Sequence, residues 1–196
     1  MRPTSTTLPA RTATARFEQT LTNPMTGSAT VSKGVLHRRS PDRFNFQFTD
    51  PAGDRLVADG EWLWVYTPST TPRQVIKLPQ TAAGAGMADP GLQFFESPKT
   101  RFTIGAAGTA TIDGRPTRAL TLTPRTGNAA FAKATVWLDP KDGTLRQFET
   151  VDGMGVTRRV VLTDLRTNVA VSADSFRFTP PAGVRVIDQK AMIGGR

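Results

Sequence analysis

The chain has 196 residues, enough for one domain with its own core, and 38% of them are hydrophobic against 21% charged. It has no cysteine, which excludes disulfide frameworks, thiolate metal centres and thiol nucleophiles, and no run approaches the roughly 18 apolar residues of a membrane-spanning helix. The net charge of +9 favours acidic partners, but the basic residues are scattered, with Arg38-Arg39 and Arg158-Arg159 the only adjacent pairs. That dispersal argues against nucleic acid.

Residues 1–13, with Pro3 and Pro9 among Thr and Ser, read as a flexible lead-in and lack the apolar region of a secretory leader. Export of this chain therefore calls for a leader outside these residues or a different start; otherwise the protein stays inside the cell. Residues 14–190 then read as one domain and 191–196 as a tail. Strands are expected at 15–22 (ARFEQTLT), 29–38 (ATVSKGVLHR) and 43–49 (RFNFQFT). In the third, Phe44, Phe46 and Phe48 share one face and Arg43, Asn45 and Gln47 the other, as a period of two requires. Residues 54–58, 61–67 and 74–78 continue the meander across the Asp59-Gly60 turn. Trp62, Trp64 and Tyr66 alternate there with Leu63 and Val65, so both faces of that strand are apolar.

The pattern breaks at 81–97. A small, Gly-rich stretch (TAAGAGMADP) precedes the greasy Gly91-Leu92-Gln93-Phe94-Phe95-Glu96, which has room for a turn or two of helix. An apolar segment inside a loop must dock on something apolar. Strands resume at 101–105, 118–123, 134–139, 145–151 and 156–164, and a closing pair follows at 176–179 and 184–187. Asp113-Gly114, Asp142-Gly143 and Asp152-Gly153 mark antiparallel hairpins rather than βαβ units. The expected fold is mainly β, about eleven strands in one strongly curved antiparallel sheet. Its apolar concave face has only the short helical lid at 81–97 to cover it. Eleven Phe against one Tyr suits such a dry wall.

Catalytic chemistry finds little support. His37 is the single histidine and has no second His or Cys for a metal site. Pairing it with Ser32 or Ser40 lacks the Gly-x-Ser-x-Gly elbow of a serine nucleophile. The acids cluster in turns, where local backbone geometry accounts for them. Neither a catalytic residue, a metal ligand nor a cofactor is assigned.

Specific residues carry a resemblance. Phe17-Glu18-Gln19, Ser40-Pro41-Asp42-Arg43-Phe44-Asn45-Phe46, Asp50-Pro51, Asp59-Gly60-Glu61-Trp62-Leu63-Trp64-Val65-Tyr66-Thr67-Pro68 and Leu120-Thr121-Leu122-Thr123-Pro124 occur in that order. A closing Phe176-Arg177-Phe178-Thr179-Pro180-Pro181-Ala182-Gly183-Val184-Arg185-Val186 completes the series over residues 16–188. This series resembles the bacterial outer-membrane lipoprotein carrier family. The resemblance implies a monomeric periplasmic carrier with a half-open β-barrel whose cavity shelters the acyl chains of lipidated proteins. It would take cargo from an inner-membrane ABC transporter of the lipoprotein-releasing type and pass it to an outer-membrane acceptor where one exists. Phe44, Phe46, Phe48, Trp64, Leu92, Phe94 and Phe95 would line the cavity. The family has an Arg before the Pro that latches the lid; here Ser40 stands in that place, with Arg39 beside it, and these two are the latch candidates. The family's N-terminal helix is replaced by a Pro-containing segment. A lipid- or lipoprotein-sensing regulatory domain is the first alternative; a hydrolase and a nucleic-acid-binding β protein are the others.

Overall fold

The computed structural model describes residues 11–80, 94, 98–126 and 131–189. The first six strands are β1 (Thr12–Thr22), β2 (Ala29–Arg39), β3 (Arg43–Asp50), β4 (Ala52–Asp59), β5 (Trp62–Tyr66) and β6 (Gln74–Pro79). A single helical turn, α1 (Pro98–Arg101), leads into β7 (Phe102–Ile112), β8 (Arg115–Pro124), β9 (Lys133–Leu138), β10 (Leu145–Val151) and β11 (Thr157–Thr167). A 3-10 turn (Ala173–Phe176) and β12 (Arg185–Asp188) close the chain.

The twelve strands form one sheet in the order β12-β6-β5-β4-β3-β2-β1-β11-β10-β9-β8-β7. Two antiparallel meanders, β1 to β6 and β7 to β11, are joined where β1 pairs with β11. Each tight turn has a local cause. Asp113-Gly114, for example, links β7 to β8 with positive φ at both positions (51° and 68°), the geometry that matches the twist of the strands it joins.

Two features differ from the sequence expectation. First, β7 runs to Ile112 rather than ending at Gly105. Its Gly105-Ala106-Ala107-Gly108 run reads as a breaker, but pairing with β8 overrides local propensity. A Cβ at Gly105 would lie 2.7 Å from Thr121 Oγ1, so the partner strand demands a small residue there. Second, residues 176–179 are not a strand. The chain leaving β11 crosses one face of the β1–β6 half and enters as β12, which pairs with β6 in parallel. The sheet is therefore antiparallel except at this edge.

Curvature follows from the core. One cluster contains Phe44 and Phe46 from β3 together with Leu122 from β8, strands at well-separated places in the sheet order. A sheet bent around a common centre accounts for their sharing one core. The face lining that centre is the inner face; β7 and β12 are its unjoined edges.

Candidate functional site

The inner face is an aromatic surface built by strand alternation. Phe44, Phe46 and Phe48 are all buried on it, opposite Asn45 and Gln47, which β3 turns the other way. The Phe17 ring meets Phe46 at 5.1 Å and Phe48 at 5.0 Å, both edge-on, and Phe44 meets Phe46 at 5.9 Å. Edge-to-face contacts are favoured by the ring quadrupole. Gly34 makes this possible. It lies across from Phe17 and Phe48, and a Cβ there would come within 2.7 Å of the Phe17 ring.

The other half of the sheet supplies a second aromatic group. Phe94 packs against Phe131 at 5.7 Å and Phe148 at 5.9 Å, and Phe131 stacks on Phe102 at 5.8 Å. Leu36, Ala58, Leu63, Leu122, Val136 and Leu162 fill between the two groups. Phe94, from the expected lid, is only 3% exposed and belongs to this same cluster. Leu92 and Phe95 lie outside the described residues. Phe17, Phe102, Phe131 and Phe148 are wall residues that the sequence reading did not single out. Phe17 and Phe148 could have been found from the period of two in β1 and β10.

Trp64 is not on this surface. β5 turns Leu63 inward, opposite Ala58, and Trp64 outward, opposite Val57. The Trp64 ring packs on Phe178 at 5.6 Å, Tyr66 meets the same ring at 5.8 Å, and the Trp64 indole N–H donates to Asp59 Oδ2 at 2.9 Å. A strand that is apolar on both faces has no alternation signal to choose between them. Here the outer face is apolar because the returning C-terminal segment covers it.

The latch candidates are also placed elsewhere. Arg39 points outward, donates to the Val171 carbonyl and lies 5.4 Å over the Phe176 ring. It ties the C-terminal segment to the sheet. Ser40 sits at the strand end, where its backbone N–H donates to Arg11 O at 2.7 Å. Arg38 is the arginine that alternation turns inward, paired with Ala13 and Phe44, and its Nε and Nη2 are buried.

The outer face carries a second, smaller core. Phe176, Val57 and Val75 are at most 1% exposed, and Asn45 Nδ2 donates to Ser175 O at 2.7 Å. His37 faces this side, with Nδ1 buried and lacking a hydrogen-bond partner; burial first, then the Arg55 guanidinium, lowers its pKa. Ser32, on the inner face, is on the other side of the sheet from it. Asp59 organises the β4–β5 turn, accepting from the backbone N–H groups of Glu61 at 2.9 Å and Trp62 at 2.7 Å. Burial would raise its carboxyl, but these bonds, the Trp64 indole and Arg43 outweigh it and hold the carboxyl below its usual range. An outer-face groove of about 500 Å³ is lined by Arg16, Glu18, Lys33, Val35, Thr49 and Val161 among others. Its charges are paired, Arg16 with Asp164 and Lys33 with Glu18, and Phe17 and Gly34 also line it. Among the described residues no three potential metal ligands gather, and no helix is long and apolar enough to cross a membrane.

What remains is a curved inner face dominated by phenylalanine rings, suited to hydrocarbon. Residues 9–85 and 105–179 match the sequence model of the family described as outer membrane lipoprotein carrier protein LolA. The chain belongs to the LolA family. An outer-membrane lipoprotein carrier protein of Methylibium petroleiphilum is 32% identical over 179 residues, covering 91% of this chain and 84% of its own. That of Halorhodospira halophila is 34% identical over 154 residues, covering 79% and 67%. Among solved structures, an uncharacterised conserved protein of Thermus thermophilus aligns over 92% of this chain and 91% of its own, with TM-score 0.57 and 12% identity. MucB aligns over 86% and 57%, with TM-score 0.52 and 18% identity. These two share the fold. The LolA match leaves out residues 86–104, which include Phe94 and α1. LolA proteins are carriers rather than enzymes, in keeping with a site built of rings.

Proposed function

We propose that this chain is a periplasmic carrier that shelters the acyl chains of lipidated proteins on the inner face of its sheet. The observation that supports it most is the joining of two phenylalanine groups, from opposite halves of an unclosed sheet, into one apolar surface in a member of a carrier family. Each buried methylene contributes about 0.8 kcal/mol, so one long chain gains on the order of 10 kcal/mol when fully sheltered. Phe and Leu supply that gain without a directional bond, which keeps the grip releasable.

In this reading Phe94 occupies the place that an acyl chain takes, and the 81–97 segment is a lid that withdraws it. Cargo comes from an inner-membrane ABC transporter of the lipoprotein-releasing type and leaves at an outer-membrane acceptor. The carrier works as a monomer. The test is binding of a fluorescent triacylated peptide to wild type, Phe148→Asp and Phe44→Glu, with thermal unfolding as a check on folding. The expected result is affinity weakened about tenfold or more in a folded variant. Unchanged affinity in both folded variants contradicts the site.

A further inference from the structure

Two turns at one end of the sheet carry methionines that neither core uses. Met25, on the β1–β2 turn, is 90% exposed and Met154, on the β10–β11 turn, is 78% exposed. β1 and β11 are neighbours with Thr22 opposite Thr157, so the two turns stand side by side. Their contact is close: a Cβ on Gly155 would lie 3.2 Å from Pro24 Cγ. Leu21 and Val31, both exposed, lie on opposite faces of the flanking strands.

Strand direction decides which charges share this end. β8 finishes here and β9 begins here, which brings the exposed Arg125 and Lys133 to the same rim. β7 also begins here, preceded by α1 with the exposed Lys99 and Arg101, and the Arg125 backbone N–H donates to Arg101 O at 2.9 Å. The acids at this end, among the described residues, are Asp50, Asp54 and Asp152; Asp54 is buried and accepts from the Ser69 N–H at 3.0 Å and the Ser69 hydroxyl at 2.6 Å. Asp152 is tied into its own turn, accepting from the N–H groups of Met154 at 2.8 Å and Val156 at 2.9 Å. At the opposite end Asp59, Glu61, Asp113, Asp139 and Asp142 sit among arginines, so its sign is mixed. The molecule is thus polarised along its strands, with exposed apolar tips inside a positive rim.

We propose that this rim is a docking surface for a bilayer bearing anionic headgroups. Met25 and Met154 enter the headgroup boundary while Lys99, Arg101, Arg125 and Lys133 face the lipid charges. Unbranched, flexible methionines suit an irregular apolar boundary, and a net charge of +9 suits an anionic one. The inference goes beyond the carrier reading and needs no acyl chain in the cavity.

The experiment is co-sedimentation of the full chain with vesicles of phosphatidylcholine alone or with phosphatidylglycerol added. Binding is expected only with phosphatidylglycerol, and salt releases it. Met25→Asp/Met154→Asp and Lys99→Glu/Lys133→Glu each weaken it about tenfold, with thermal unfolding and acyl-peptide binding unchanged. The proposal is overturned by no binding to either vesicle, by equal binding to both, or by wild-type binding in the methionine variant; an acidic protein face is then the remaining partner for the rim.

Discussion

Gly34 and Phe17 act as one unit. The missing side chain at 34 is filled by the ring from the neighbouring strand, which then reaches Phe46 and Phe48. Gly34→Val should expel that ring and cost about 2–3 kcal/mol by chemical denaturation, with acyl-peptide binding weakened in the fraction that folds. His37 gives a second test. Its pKa is lowered from 6.5 by burial and by Arg55. The unfolded chain therefore takes up a proton near pH 6.5 while the folded one resists it. Stability is full above that pH and declines as pH falls through it, until the folded form also titrates. The melting temperature should drop between about pH 7.5 and about pH 5.5, and by less in His37→Gln.

Elements were legible where one residue pattern meets one environment. In β3 the alternation of Phe44, Phe46 and Phe48 with polar neighbours names the inner face directly, and the structure agrees. In β5 it could not, because Leu63 serves the main core while Trp64 and Tyr66 serve the outer one. The outer core comes from a segment distant in sequence, and nothing near Trp64 announces it. The same segment claims Arg39, so its proximity to Pro41 misleads about its role, whereas alternation from Leu36 would have turned Arg38 inward. Along β7 the glycines hide a strand that only β8 can specify. The C-terminal segment is itself testable. Phe176→Ala should cost about 3–5 kcal/mol in thermal or denaturant unfolding, since its ring is 1% exposed. Acyl-peptide binding by the folded fraction should stay near wild type, because the ring lies on the outer face.

At the scale of the molecule, one sheet is covered on both sides by unlike material. The outer face meets the chain's own C-terminal segment through side chains held by hydrogen bonds, a closed and permanent contact. The inner face meets rings, and the described residues standing among them from outside the strands are Phe94 and Phe131. In the proposed reading the outer cover is fixed and the Phe94 contact is exchangeable, which lets a bound chain be released. A crystal structure with a lipopeptide whose acyl chains bear bromine tests this directly, through the anomalous signal of the bromine. The account predicts peaks on the inner face between the Phe46 and Phe148 rings, with Phe94 moved from its present contacts. Bromine found only in the outer groove near Lys33, or absent while the rings stay packed as they are, would contradict it.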